Sequence, residues 1–323
     1  MKRIALIFLI VSTIILVRCS GSQEEEATFE LPVTKEELGG RLFLDPILSS
    51  DGKISCASCH IPAYAFADTV ALSKGVGGQL GSRNTPSAMN LSAHDIFFHD
   101  GRAESLEQQA AGPIENPVEM NLPISEAVKK LSANKNYLAA FKKLYNEAPN
   151  RDNLLDALAS FERTLETSNT PFDKFMHDDT TAISESAKRG QKVFNIKGKC
   201  FDCHFGPDFT RDDFKNIGLY NGKDLNDVGR YGVTKDSADI GKFKVPGLRN
   251  VAVTAPYMHN GMFKTLTEVI DYYNEPQKFV KGSVNMDTTM LTPLNLTDQD
   301  KADLLEFMKT LTDEQFKGVA KNK

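Results

Sequence analysis

The 323-residue sequence contains no tryptophan and only five cysteines. Four of these cysteines stand in two copies of one short motif, so no disulfide framework is expected. Long basic runs are absent as well, and the formal net charge is −5. A chain of this charge is not expected to bind nucleic acid, and no basic segment predicts a helix lying on a membrane surface.

The four cysteines belong to two pentads of the type Cys-x-x-Cys-His, the attachment motif of c-type haem. In each pentad the two thiols can tether a porphyrin, and the histidine that follows can ligate its iron. A redox Cys-x-x-Cys, a zinc site and disulfides are the alternatives for one such motif, and a second copy disfavours them. The sequence therefore predicts two covalent haem c groups. The residues expected to hold them are Cys56, Cys59, His60, Cys200, Cys203 and His204.

The first 19 residues have the pattern of a secretory signal peptide, with a basic start and an apolar run too short for a transmembrane helix. Cys19 ends this run and resembles a bacterial lipoprotein junction, although Arg18 departs from the small residues usual there. Residues 20–30 then read as a flexible acidic tether. We expect a periplasmic protein held to a membrane only through a lipid on Cys19, with ordinary cleavage and release as the alternative.

The rest of the chain suits two domains, each with one pentad. We place them at residues 31–170 and 171–323, with the boundary in the polar stretch Thr167–Pro171. Two turn-rich stretches, Thr69–Pro86 and Phe205–Pro246, are expected to be long loops that wrap the haems. No repeat at solenoid periods is visible.

Apolar residues at three- and four-residue spacings predict several amphipathic helices. The predicted helices are Ser125–Glu147, Asp152–Glu166, Ser184–Asn195, Leu266–Asn274 and Asp298–Leu311. Thr265-x-x-Glu268 and Thr297-x-x-Asp300 have the pattern of capping boxes at the start of the last two.

Seven short blocks between Leu38 and Thr312 closely resemble the bacterial dihaem cytochrome c peroxidase family, including its MauG branch. The blocks are Ser82–Pro86 (SRNTP), Phe97–Arg102 (FFHDGR), Gln108–Pro113 (QQAAGP), Asn116–Met120 (NPVEM), Lys244–Asn250 (KVPGLRN), Thr254–Gly261 (TAPYMHNG) and Pro293–Thr297 (PLNLT). The resemblance implies a mainly α fold of two cytochrome c-like haem domains joined face to face, with long haem-wrapping loops. It also implies that His60 holds the peroxidatic iron and His204 the electron-transfer iron.

By the same resemblance, Glu119 matches the family's distal acid and Gln109 the amide that positions peroxide. A carboxylate in that place can move a proton from the inner to the outer peroxide oxygen, which makes water the leaving group. We expect Gly112–Pro113 to interrupt the helix between them, so that a loop brings Glu119 to the haem.

Two departures from the family concern the first haem. Many members carry a histidine in the loop after the first pentad that caps the iron, but this sequence has none between His60 and His94. The loop Thr69–Leu80 is therefore expected to leave the iron open, with His94 as the less favoured alternative ligand. Where the family has a tryptophan between the haems, this chain has His99, and its two readings are a hydrogen-bonded bridge between the haems and simple packing.

A third departure concerns the second iron. Counting as in the classical peroxidases, the position of their methionine ligand is Tyr273, and the MauG branch uses tyrosine there. Tyrosinate lowers the potential of a haem, whereas methionine raises it. The alternatives near in sequence are Met258, Met286 and Met290. The family also binds calcium between the domains, and the matching residues are Asn84, Thr254 and Pro256, all of which offer hard oxygen ligands.

These observations predict a periplasmic dihaem peroxidase that reduces hydrogen peroxide to water with electrons from a small cytochrome c or cupredoxin. A MauG-like oxidase that uses peroxide to oxidise a protein or organic substrate is the alternative. A dihaem electron carrier without enzymatic activity is the third reading. The resemblance leaves a homodimer open, although nothing in the sequence identifies a dimer surface.

Overall fold

A computed structural model describes residues 30–320. The predicted signal segment, Cys19 and the tether as far as residue 29 lie outside the described residues, and their assignments stay predictions. None of the described helices is both long and apolar enough to cross a membrane.

The described chain is mostly helical with little sheet, as predicted. Its α-helices are α1 Lys35–Leu44, α2 Leu106–Glu115, α3 Ile124–Ala133, α4 Lys135–Tyr145, α5 Arg151–Glu162, α6 Pro171–Met176, α7 Glu185–Lys192, α8 Tyr231–Thr234, α9 Leu266–Asn274, α10 Pro276–Phe279, α11 Asp298–Lys309 and α12 Lys317–Ala320. Two short strands, β1 Phe214–Lys215 and β2 Phe243–Lys244, pair antiparallel, with Phe214 opposite Lys244.

The capping boxes predicted before the last two long helices are confirmed. Thr265 accepts a hydrogen bond from the amide of Glu268, and Thr297 accepts one from the amide of Asp300. Helix α9 has the predicted bounds. Helices α5, α7 and α11 are shorter than predicted, and α7 is followed by a π turn over Val193–Lys197.

The single helix predicted over Ser125–Glu147 is wrong, because the chain breaks there into α3 and α4. Asn134 has an extended backbone, with φ −83° and ψ 114°, and its side chain accepts the amides of Asn136 and Tyr137. Asparagine competes with the helix for backbone groups and favours such caps. An apolar spacing that continues across a cap is therefore a poor guide to helix length.

Two further expectations are corrected. The loop predicted over Phe205–Pro246 contains the β1–β2 ribbon and the single turn α8. Helix α2 is not interrupted at Gly112–Pro113 and continues to Glu115. Proline removes one amide donor, and this loss falls so near the end of α2 that the last turn survives it.

The two halves of the chain repeat one helix crossing. Helix α1 packs on α5 where a Cβ added to Gly39 would lie 1.9 Å from the Ala157 carbonyl oxygen. Helix α7 packs on α11 in the same way, with 1.9 Å between a Cβ on Gly190 and the Asp303 carbonyl oxygen. One turn further along each helix, a pair of phenylalanine rings is in contact, with centroids 5.2 Å apart in both halves. These pairs are Phe43 with Phe161 and Phe194 with Phe307.

The stretch chosen as the domain boundary is held by both halves. Thr167 is 9% exposed and donates its amide to Asn90, while its hydroxyl accepts from Asn250. Asn250 is fully buried and also accepts the amide of Asp313. The two halves therefore pack as one compact body and not as independent domains joined by a flexible linker.

We predict that Gly39→Ala destabilises the holoprotein by about 1–3 kcal/mol, because the new methyl group meets backbone that cannot yield. Gly40→Ala is the matched control, since its Cβ would lie 3.1 Å from the Phe161 ring, a side chain that can shift. Helix propensity favours alanine over glycine at both sites by about 1 kcal/mol. Urea midpoints of both variants test this, and equal midpoints would contradict the backbone contact as the cause.

Candidate functional site

Both pentads line one cavity of about 870 Å³. Its wall combines many apolar side chains with a few polar groups, as ligand sites in proteins usually do. The residues singled out in the sequence that line it are Cys56, Cys59, His60, Asn84, His94, His99, Gln109, Glu119, Cys200, Cys203, His204, Thr254, Pro256, Met258, Tyr273 and Met290. The fold therefore gathers side chains from both halves around one space.

The two pentads have nearly the same backbone. Each forms a 3-10 turn, over Cys56–Ser58 in the first half and Cys200–Asp202 in the second. The second cysteine follows with φ −116° and ψ −32° at Cys59 and φ −116° and ψ −31° at Cys203. The histidine amide then donates to the first cysteine's carbonyl over 2.8 Å in both pentads. The same local structure thus presents two thiols and an imidazole twice.

Each pentad histidine is oriented by a backbone carbonyl. The Nδ1 of His60 lies 3.0 Å from the Phe66 oxygen, and the Nδ1 of His204 lies 2.9 Å from the Phe209 oxygen. A proton on Nδ1 leaves the lone pair of Nε2 for a metal, as in most histidine-ligated sites. Burial lowers the pKa of both imidazoles, which favours the neutral, ligating form.

These residues fit two covalent haem groups. All four pentad cysteines are free thiols and only partly buried, so they can reach a porphyrin. Between residues 30 and 320, no cluster of three or more His, Cys, Asp or Glu side chains is arranged to hold a metal ion.

A carboxyl group faces the cavity near the first pentad. Glu119 is close enough to Cys59 for its charge to raise the pKa of that thiol. Its Oε1 accepts a 2.7 Å hydrogen bond from the Asn116 side chain. Burial raises the pKa of Glu119, opposed by the Asn116 bond and the charge of Arg102. Gln109 reaches the same cavity from α2. A carboxyl with a raised pKa beside an amide is a suitable arrangement for proton transfer.

The loop Thr69–Leu80 packs directly against the backbone of Glu119. A Cβ on Gly75 would lie 2.5 Å from the Glu119 carbonyl oxygen and 2.6 Å from its Cα. The amide of Val76 donates to the same oxygen over 2.8 Å. The loop carries no imidazole, and the next histidine, His94, places its Nδ1 3.0 Å from Asp212. The loop thus holds Glu119 in place and has no histidine that could ligate the iron.

Comparison with known proteins agrees with this geometry. Residues 33–181 match the family model described as di-haem cytochrome c peroxidase, and residues 187–312 match the cytochrome c model. The methylamine utilization protein MauG of Methylorubrum extorquens is 37% identical over 286 residues, which cover 87% of this chain and 79% of that protein. The chain belongs to the di-haem cytochrome c peroxidase family. The resemblance seen in the sequence, the two cytochrome c-type domains and the two haem c groups are confirmed.

Further relatives and solved structures carry peroxidase or MauG-like names. The cytochrome-c peroxidase IdrP1 of Pseudomonas sp. (strain SCT) is 34% identical over 310 residues, covering 86% of this chain and 80% of that protein. A solved MauG-like protein associated with microbial copper homeostasis has a TM-score of 0.77 and 30% identity, covering 89% of this chain and 93% of that one. The diheme peroxidase BthA from Burkholderia thailandensis E264 has a TM-score of 0.77 at 25% identity, covering 90% and 88%. Members of this family are oxidoreductases, and this chain is one.

The position of the family's interhaem tryptophan is held by His99, which is fixed by the backbone. Its Nε2 lies 2.8 Å from the Asn84 carbonyl oxygen, and burial lowers its pKa. Nearby, the ring of His259 stacks on Phe243 with centroids 3.8 Å apart and 12° between planes. The backbone of Asn84 joins the two histidines, because its N–H donates to the His259 carbonyl over 2.7 Å. The role of His99 between the haems stays a prediction.

Tyr273 and its neighbour Tyr272 differ in environment. Tyr272 is fully buried and donates its hydroxyl to the Ile217 carbonyl over 2.5 Å. Tyr273 lines the cavity, and its hydroxyl has no hydrogen-bond partner within residues 30–320. Burial raises the pKa of Tyr273, and the charges of Tyr272, Cys200 and Cys203 raise it further, so the hydroxyl is near enough to interact with the thiols of the second pentad. Tyr273 can therefore face the second iron.

The methionine alternatives do not share one position. Met258 and Met290 line the cavity, whereas Met286 does not. The Cε of Met286 instead packs against Gly218, where an added Cβ would lie 2.3 Å from it. The fold therefore leaves Met258 and Met290 as competitors of Tyr273.

An ion-pair network joining the halves was not anticipated from the sequence. Arg83 donates to Asp100 of the first half over 2.6 Å. It also donates to Asp227 of the second half, through Nε over 2.7 Å and through Nη2 over 2.8 Å. Arg102 also contacts Asp100, at 2.9 Å. Arg83 was within a block quoted for the family, but nothing in the sequence pointed to Asp227 as its partner.

We predict that Arg83→Met costs about 3 kcal/mol at neutral pH, because it leaves two partly buried carboxylates without their shared partner. The arginine lowers the pKa of Asp100 and Asp227, so this stability is present above their ordinary pKa of about 4. It is lost as the pH falls through the lowered values, so the cost of the substitution should shrink in acid.

Denaturant midpoints of the holoprotein at several pH values measure this. Arg151→Met is the control, since its ion pair with Asp152 is exposed and should be worth less than about 1 kcal/mol. A cost for Arg83→Met that is the same at acid and neutral pH would exclude the ion pairs as its source.

Proposed function

We propose that this enzyme reduces hydrogen peroxide to water with electrons from a small redox protein such as a cytochrome c or cupredoxin. The observation that carries the proposal is the carboxyl of Glu119. It is partly buried, hydrogen-bonded to Asn116 and close to the first pentad, with Gln109 lining the same cavity.

The residues at the first haem suit that reaction. Haem held by His60 would supply the iron at which peroxide binds and is reduced. Glu119 accepts the proton of the inner peroxide oxygen and returns it to the outer one, so that water leaves. Burial of Glu119 supports this role, because a raised pKa brings its proton affinity nearer to working pH. Gln109 orients the peroxide.

The loop Thr69–Leu80 supports an iron that is open without prior reduction. It contains no histidine, and its position on the Glu119 backbone leaves the acid already in place. His94 is engaged by Asp212, which favours a structural role for that imidazole. An enzyme built this way needs no reductive activation.

A MauG-like oxidase is the second candidate, and Tyr273 favours it. We propose Tyr273 as the ligand of the second iron, since its hydroxyl faces the second pentad without another partner. A tyrosinate ligand would lower the potential of this haem and make ordinary donors less effective.

We also propose a calcium ion at Asn84, Thr254 and Pro256. All three line the shared cavity, and Asn84 uses its side-chain nitrogen on the Val70 and Ala71 carbonyls, which leaves its amide oxygen for a cation. Carbonyl and amide oxygens are suitable ligands for calcium. A periplasmic location and a lipid on Cys19 remain proposals based on the leader sequence, and a homodimer stays open.

Donor oxidation by the as-isolated, fully oxidised holoprotein tests the function. We expect hydrogen peroxide to oxidise a pre-reduced small cytochrome c without a prior reduction step, as followed by the donor's absorbance. Glu119→Gln should lower this turnover by about 10²–10⁴-fold, because the amide cannot take the proton. Glu104→Gln, on an exposed residue nearby, is the control and should have no effect. Rapid haem spectral change with peroxide but no donor oxidation would favour the oxidase instead.

Tyr273→Phe tests the ligand. We expect the tyrosinate signature in the absorption and magnetic resonance spectra of the second haem to disappear. Tyr272→Phe removes the neighbouring hydroxyl, which bonds the Ile217 carbonyl and does not line the cavity, and it should leave the spectrum unchanged at a cost of about 1 kcal/mol in stability. A wild-type spectrum typical of methionine ligation, or no change in Tyr273→Phe, would exclude the assignment.

A further inference from the structure

Another carboxyl lines the cavity in the first half, and no step assigned to Glu119 uses it. Glu162 is the last residue of α5 and is only 7% exposed. It lines the shared cavity close to Cys56, whose thiol pKa its charge raises. Within residues 30–320, its carboxyl makes no hydrogen bond or ion pair. A buried, unpaired carboxyl is costly to keep ionised, so its presence at a redox centre requires an explanation.

The surroundings of Glu162 offer it little compensation. Helices α1 and α3 turn apolar residues toward the core that α5 shares with them. The charged groups that act on it are Glu107 of α2 and the adjacent Arg163, and these two form an ion pair with each other at 2.7 Å. Arg163 therefore lowers the pKa of Glu162 while Glu107 raises it, and burial has the largest effect on that pKa.

The repeated helix crossing shows that this position does not need a carboxyl for packing. Phe161 on α5 and Phe307 on α11 occupy matching places, each one turn after the residue whose carbonyl meets a glycine. The next residue is Glu162 in the first half and Met308 in the second, and both line the cavity. One fold thus places an apolar side chain at the second haem and a titratable one at the first.

Burial raises the pKa of Glu162 to about 8, so the neutral acid predominates at neutral pH. A haem that loses an electron gains one unit of positive charge, and that charge acts strongly on a carboxyl in a low-dielectric surrounding. Oxidation of the haem must therefore favour the carboxylate form of Glu162, and reduction must favour the acid. Because the two equilibria are linked, ionisation of Glu162 must in turn lower the potential of the haem.

We propose that Glu162 is a proton-exchanging group of the first haem, which keeps its proton while that haem is reduced and releases it when the haem is oxidised. In one such event, one electron passes to an external one-electron acceptor and one proton passes from the carboxyl to solvent. The carboxylate left behind compensates the added charge and stabilises the oxidised haem. The proposal depends on haem binding at Cys56, Cys59 and His60, and not on peroxide being the substrate.

Midpoint potentials of both haems, measured from about pH 5 to about pH 9 with redox mediators, test this. In the wild-type holoprotein, we expect the potential of one haem to fall with rising pH by up to about 59 mV per unit, the value for one proton per electron. Glu162→Gln and Glu162→Met should abolish this slope for that haem only. The methionine variant copies the second half, so it should retain both haems.

A second measurement separates Glu162 from haem propionates, which could also give a slope. In reduced-minus-oxidised infrared spectra, the wild type should show a protonated carboxyl band in the reduced state that is absent from both variants. A slope that persists in Glu162→Gln, a carboxyl band that persists in Glu162→Met, or a wild type without any slope would each overturn the proposal. Peroxide turnover plays no part in these readouts, so they stand apart from the test of function.

Discussion

The two haem groups complete the core of this protein, and the rest of the structure depends on that. The cavity of about 870 Å³ that both pentads line has many apolar walls, so bound porphyrins would cover side chains that water would otherwise contact. Covalent attachment through the pentads therefore supplies core as well as chemistry, and it explains why long loops with little secondary structure can be ordered around the site.

The frame around each haem is the same, and the differences lie in what faces it. In both halves, a glycine allows two helices to meet at backbone contact, and a backbone carbonyl fixes the pentad histidine. On that frame, the first half has Glu119, Gln109 and Glu162, which are groups that can position or exchange protons. The second half has Tyr273 and Met308. The duplicated scaffold thus carries different side chains at its two haem sites, and the different roles proposed for the two haems rest on these side chains.

The two halves meet through a buried apolar cluster, which joins Met89 and Leu165 to Val253, and through polar contacts at the shared cavity. Arg83 binds carboxylates from each half, and Asn84 joins His99 to His259 through its backbone. These groups and the stacked rings of Phe243 and His259 line the cavity that the two pentads share. Fixed hydrogen bonds limit their motion, which keeps the geometry between the two centres constant.

Much of the site was readable from the sequence, because covalent attachment requires adjacent residues. The pentads predicted two haems, and the blocks around Glu119 and Gln109 indicated the family. The capping boxes at Thr265 and Thr297 were predicted because a cap is a contact over three residues. Asn134 shows the limit, since its side chain ended a helix whose apolar spacing continued.

The sequence by itself thus determined the two haem groups, the family and the candidate acid, all of which depend on local motifs. Only the tertiary structure decided which distant groups meet: Asp227 with Arg83, Gly75 with the backbone of Glu119, and Glu162 with the first haem site rather than with solvent. Burial and the absence of a partner cannot be read from the residue type. They arise when helices far apart in the chain close around a common cavity, and they give an ordinary glutamate an unusual proton affinity.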